Sequence, residues 1–160
     1  MSGYPTNDSQ KLAWKQTLKN ACIQLLHARI AHIEQAITEA REAANSEEKS
    51  SAGDKYETSR AMSHLAQEMQ GRQLEDAKQE LDFINRLNTT DIFTAANTGA
   101  VVICPDIIFY ISLGLGNTLV DSYKVMLLSP KAPIAGLLYR KKAADTFEFN
   151  KKTIQIQSIF

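Results

Sequence analysis

Between residues 6 and 52 the chain has neither glycine nor proline, and its apolar residues fall at Ile23, Leu26, Ile30, Ile33, Ile37, Ala40 and Ala44. Alternating steps of three and four keep such residues in one stripe along an α-helix, which is the pattern of a coiled-coil seam. Leu18 and Cys22 continue the stripe backward, and Ala, Glu, Gln and Lys, all good helix formers, dominate the other positions. One long helix follows from this, and it requires a second helix to cover the stripe.

The stripe stops at Ala44. Asn45-Ser46-Glu47-Glu48-Lys49-Ser50-Ser51-Ala52-Gly53 then supplies polar residues and a glycine, the composition of a turn. A second helical pattern runs through Met62, Leu65 and Met69, then Leu74, Ala77, Leu81 and Ile84, and ends near Leu87. The five-residue step from Met69 to Leu74 breaks heptad phase, so local supercoiling is expected to relax there. Two helices of roughly 30 to 35 residues joined by so short a connection lie antiparallel, as a hairpin about 45 to 50 Å long. Small residues at Ala40, Ala44 and Ala61 thin the seam near the turn, making this end the least stable part.

After Asp91 the period changes. Ala100 to Cys104, Ile107 to Ser112, Leu119 to Leu128, Thr146 to Phe149 and Thr153 to Ile159 read as strands, the last with a clean alternation of apolar and polar residues. Asn150-Lys151-Lys152 suits a hairpin turn, and Ser129 to Lys142 reads as a proline-punctuated loop leading into one short helix. The expected fold class is α+β. Residues 1–90 form the antiparallel coiled-coil hairpin, with an acidic tip near 46–57, and residues 91–160 form a small β-rich domain.

Eighteen basic and eighteen acidic side chains cancel, so no global field draws the chain to nucleic acid or to acidic membranes. Cys22 and Cys104 have no zinc or disulfide spacing and read as buried thiols. With no apolar run of membrane-spanning length and a polar Met1 to Gln10, the expected location is cytoplasmic, with no membrane partner.

Asp54 and Glu57, three apart at the start of the second helix, would share one helical face. Two carboxylates so placed can hold part of the shell of a hard cation such as Mg²⁺, which takes few protein ligands and fills the rest with water and phosphate oxygens. The same residues suit a plain helix start, because acids favour the first turn and Ser51 with Asp54 fits a capping box. Tyr56 beside them is an aromatic available for a partner or for the hairpin stem. Ser129-Pro130-Lys131-Ala132-Pro133-Ile134 is a rigid extended segment that can present Ile134, or can simply end a strand. Arg140-Lys141-Lys142 suits either phosphate contact or a solvated helix end, and His27, His32 and His64 show no ligand spacing. No nucleophile motif and no phosphate-binding glycine loop is present, so the chain is not expected to be an enzyme in its own right.

Two segments resemble the GreA/GreB family of bacterial transcription elongation factors. Gly53-Asp54-Lys55-Tyr56-Glu57 is similar to that family's Gly-Asp-x-x-Glu turn, and Leu128 to Ala135 with Asp145-Thr146-Phe147-Glu148-Phe149 resembles its Ser-Pro-x-x-Pro-Ile loop, short helix and following strand. The resemblance implies an FKBP-like C-terminal domain that docks on the rim of the RNA polymerase secondary channel. It also implies a coiled coil whose tip enters the channel, stimulates cleavage of backtracked nascent RNA and shares the polymerase's Mg²⁺, with no metal of its own. Asp54 and Glu57 would then be the metal-positioning pair, and Tyr56, Ser129, Pro130, Ala132, Pro133 and Ile134 the partner-binding residues. Where the family continues Asn-Ala-Glu-Tyr this chain reads Thr58-Ser59-Arg60-Ala61, and where glycine is frequent it has Arg140 and Ala144. The first departure leaves a second expectation, a secondary-channel regulator or inhibitor without cleavage.

Overall fold

A computed structural model describes residues 3–48 and 54–160, with side chains at 47, 48 and 54–56 outside the description. Two helices come first, α1 (Asp8–Glu48) and α2 (Asp54–Arg86), followed by β1 (Val101–Ile103), β2 (Ile108–Ile111), β3 (Gly116–Val120) and β4 (Tyr123–Leu128). A short helix α3 (Pro133–Leu138) precedes β5 (Thr146–Phe149), β6 (Lys152–Gln155) and β7 (Ser158–Ile159). The class is α+β, an N-terminal helical hairpin followed by a β-rich part. Contacts divide the chain into two compact units, one of residues 25–82 and one of residues 1–24 with 83–160.

Helix α1 opens on a capping box that the sequence reading passed over. Asn7 Oδ1 accepts a hydrogen bond from the Gln10 amide at 2.8 Å, and Gln10 Oε1 accepts in return from the Thr6 amide at 3.0 Å. Amides that the helix leaves unpaired at its start are satisfied there.

In the unit of residues 25–82 the α1 stripe is the seam: Leu26 and Ile33 are buried, and Ile30, Ile37, Ala40 and Ala44 are half-buried. The Arg29 guanidinium donates to Glu80 across to α2 at 3.1 Å and fixes an antiparallel register. On α2 the expected stripe needs correction. Ala77 is buried and Leu74 and Leu81 half-buried, but Met62, Leu65 and Met69 are 68%, 56% and 51% exposed. The half-buried positions there are Ser63, Gln67 and Gln70, and Ala61 is exposed as well. A continuous helix cannot change phase without unwinding, so the packed proximal residues Leu74, Ala77 and Leu81 set the face. Counting back from Leu74 in steps of four and three lands on Gln70, Gln67 and Ser63.

The other unit is built on a five-stranded sheet of order β3-β4-β2-β1-β7, antiparallel except for the parallel pair β2 and β4, with β5 and β6 forming a separate hairpin. Two expected strands prove to be pairs. Leu119 to Leu128 turns back at Asp121 and Ser122, whose φ angles of 49° and 70° make the left-handed two-residue turn that matches strand twist. Asn150 and Lys151 do the same between β5 and β6, at φ 52° and 62°. Thr153 to Ile159 splits because the chain changes partners: the Ile156 amide donates to Asp145 O, and the Gln157 amide donates to Ile103 O.

Its core gathers Val102, Cys104, Phe109, Ile111, Leu138, Phe147 and Ile156, with Phe109 edge-on to Phe147 at 5.9 Å. The first part of α1 belongs to the same unit. Trp14 meets Tyr123 edge-on at 5.9 Å, Leu18 is fully buried, and Cys22 Sγ lies 3.8 Å from Ser112 Oγ. Both thiols are buried, and burial pushes each up to about 11. Lys15 is enclosed too: its ammonium donates to Asp91 O at 2.8 Å and sits 4.2 Å from the Phe93 ring centre. No helix among the described residues is long and apolar enough to cross a membrane.

Candidate functional site

Positions 54 and 57 both fall in the first turn of α2, at the end of the hairpin where α1 has stopped at Glu48. Glu57 is exposed, and so are Thr58, Ser59 and Arg60 after it. Asp54 and Tyr56 have their side chains outside the described residues, as does Ser51 altogether. A carboxylate at the start of a helix is favoured by the unpaired amides and by the dipole, so the position costs nothing in fold stability. An exposed carboxylate offers oxygens to a cation or to a water molecule. Among the described residues no group of three or more His, Cys, Asp or Glu side chains gathers to hold a metal ion.

The second candidate segment leaves β4 at Leu128. Ser129 Oγ accepts from the Lys131 amide at 3.2 Å and Ser129 O accepts from the Ala132 amide at 3.0 Å, so the serine shapes the turn rather than standing free. Pro133 begins α3, where its missing amide proton is not needed. Pro130, Lys131 and Pro133 are exposed, Ser129 and Ala132 half-buried, and Ile134 half-buried against the sheet core. Sequence reading missed the two largest apolar surfaces beside them, Leu137 and Tyr139, which stand 48% and 55% exposed. In Leu137-Leu138-Tyr139 the pattern does not say which residue faces inward; α3 buries Leu138 and turns its neighbours out. A small cavity of about 110 Å³ lies between Pro130, Ala135, Tyr139, Asn97, Thr98 and Ile111. The Arg140 guanidinium lies 5.2 Å from the Tyr139 ring centre, adding a cation at the margin.

Arg140 and Ala144 flank the turn into β5 with φ angles of 64° and 74°, a left-handed backbone that glycine adopts without strain. The turn is held by the Asp145 carboxylate, which accepts from the Lys142 amide at 2.7 Å, and by the Ala144 amide donating to Ile156 O. Asp145 is thus a turn organiser here. The tip residues lie in the unit of residues 25–82 and the proline segment in the other.

Comparison with protein-family models, with curated proteins and with solved structures finds no match to this chain.

Proposed function

We propose that the chain is a Gre-like transcription elongation factor: an accessory protein that docks on bacterial RNA polymerase through an FKBP-like C-terminal domain and stimulates cleavage of backtracked RNA with its hairpin tip. The observation that carries this reading is the carboxylate of Glu57, exposed in the first helical turn after the hairpin connection, with position 54 in the same turn. Two further features support it. The family's two frequent glycines align with Arg140 and Ala144, two of the positions where this backbone is left-handed. Pro130 and Pro133 of the Ser129 to Ile134 segment, with Leu137 and Tyr139 beside them, form an exposed apolar surface suited to a protein partner.

Asp54 and Glu57 together supply at most part of an octahedral Mg²⁺ shell, which fits a shared ion rather than a resident one. In a two-metal centre the ions activate the attacking water and stabilise the leaving oxygen, and that chemistry belongs to the polymerase. The two tip carboxylates would help hold the shared ion and its water, and Tyr56 and the proline segment would fix the factor in place.

The double variant Asp54→Asn, Glu57→Gln keeps docking and abolishes shortening of RNA in halted elongation complexes, a loss of at least about 100-fold if the pair positions the reacting water. Equal cleavage by variant and native chain would refute the assignment. Because Thr58-Ser59-Arg60-Ala61 adds no further acid to the tip, run-off synthesis is measured in parallel. Depressed run-off without shortened RNA identifies the non-cleaving regulator instead.

A further inference from the structure

The opening turns of α1, the residues just before them and the turn between β3 and β4 enclose a cavity of about 510 Å³, a size that admits a small ligand. Among the described residues three aromatic rings line it, those of Tyr4, Trp14 and Tyr123. The Tyr4 and Tyr123 ring centres are 5.0 Å apart with planes inclined at 31°, while Trp14 stands edge-on to Tyr123 at 5.9 Å and 87°. The rings therefore meet as a corner rather than as a flat stack. Trp14 is buried and the two tyrosines are half-buried. The cavity shares no residue with the hairpin tip or with the proline segment.

The remaining lining says which ligand fits. Of the described Asp, Glu, Lys, Arg and His residues only Asp121 lines the cavity; its side chain is exposed and has no ion-pair partner among the described residues. Lys11, one turn before Trp14, is held instead by Asp8 at 3.9 Å and by the Phe160 ring. The positive end of the α1 dipole borders the cavity and opposes a cation, and Asp8 in the first turn offsets it. A carboxylate beside aromatic faces attracts a cation, because the face of each ring is the negative part of its quadrupole.

The hydrogen-bonding groups narrow the class further. Thr6 and Thr17 spend their hydroxyl protons on Gln10 Oε1 and on Ala13 O, both at 3.1 Å, and Gln10 Oε1 also holds the Thr6 amide. A primary ammonium entering here would give up water for three N–H groups and find few free acceptors. A fully alkylated ammonium has no N–H to satisfy, and its rounded, weakly hydrated surface suits rings set at an angle. We infer that this corner binds a small quaternary ammonium compound, with Tyr4, Trp14 and Tyr123 around the cation and the Asp121 carboxylate at the rim.

Trp14 is the only tryptophan of the chain, so it reports on its own site. Titrating the full chain with choline chloride to about 50 mM, at ionic strength held constant with sodium chloride, is expected to give a saturable change in tryptophan emission, with a dissociation constant on the order of 1 mM. The uncharged alcohol in which tert-butyl replaces trimethylammonium should bind at least about fivefold more weakly. Asp121→Asn should weaken choline binding about threefold and leave the turn intact, since asparagine suits the left-handed backbone of that position. Tyr4→Ala should weaken it about fivefold and Tyr4→Phe should not, because the ring face makes the contact and the hydroxyl does not. Phosphatidylcholine vesicles present the same headgroup: a further emission change with them assigns a lipid source, and a change with free choline alone assigns a dissolved ligand. No saturable response to choline, an equal response to the uncharged alcohol, or unchanged affinity in both Asp121→Asn and Tyr4→Ala overturns the inference. The site does not rest on the proposed function, and RNA cleavage tests that reading separately.

Discussion

Lys15 is the residue whose charge is most at odds with its surroundings. Loss of water pushes its ammonium down from 10.5 to about 8, against the Asp91 carboxylate, which holds it up. Between these two values the unfolded chain carries a proton that the folded chain has lost, so stability rises with pH across that window and is flat below about 8. The rise amounts to about 3 kcal/mol. Cys22, Cys104 and Tyr110 act with the opposite sign above about 9, since burial raises each of them. They cancel in a comparison with Lys15→Met: the stability difference, native minus variant, should increase by about that amount from pH 7.5 to 10.5 in urea titrations. A pH-independent difference would show that the ammonium keeps its solvent. Ala144 offers a second test. Its left-handed backbone carries a cost of about 1 kcal/mol that glycine avoids, partly offset by the greater freedom of glycine in the unfolded chain. Ala144→Gly should therefore raise the urea midpoint by the equivalent of about 0.5 kcal/mol without changing the slope. Nothing in Asp145-Thr146-Phe147 announces a left-handed residue at 144, because the demand comes from the Ala144 amide reaching Ile156 O twelve residues on.

Helix α2 is where the sequence pattern and the packing diverge. Its strongest apolar repeat, Met62, Leu65 and Met69, is the one the hairpin leaves outside, and no count of apolar residues in α2 alone reveals that. The phase is set by Leu74, Ala77 and Leu81 against α1, and a rigid 3.6-residue period carries it forward. Gly71 lies just past the stretch where the two repeats diverge. A Cβ added there meets nothing within 4 Å, so the glycine answers no packing need. Gly71→Ala should stabilise α2 by up to about 1 kcal/mol. Hydrogen exchange at the amides around it should slow about fivefold, while exchange in the sheet stays unchanged. Faster exchange would mean that the helix needs a flexible point there. By contrast the α1 seam from Leu26 to Ala44 was legible: its stripe is unbroken and matched to one period.

For the molecule as a unit, residues 91–160 look self-sufficient in sequence, with strands, turns and a helix of their own. The structure gives their sheet a cover from elsewhere in the chain: Trp14, Leu18 and Cys22 of α1, and the Lys15 ammonium holding Asp91. A fragment of residues 91–160 should therefore lack a cooperative thermal transition, whereas the full chain unfolds with one in the sheet's near-ultraviolet signal. A cooperative fragment would show that the α1 cover is dispensable. The two helices and the short helix opened by Pro133 were readable from residue types and spacing, because each depends on interactions within a few residues; α1 nevertheless runs 41 residues, past the roughly 30 to 35 expected, and residues 45–48 are helix where a turn was expected. Which face of α2 is buried, which of Leu137 and Leu138 points inward, and where Thr153 to Ile159 changes partners depend on atoms distant along the chain. Those choices fell to packing: several local patterns satisfy propensity equally, and only one of them removes the most apolar surface from water while pairing the backbone.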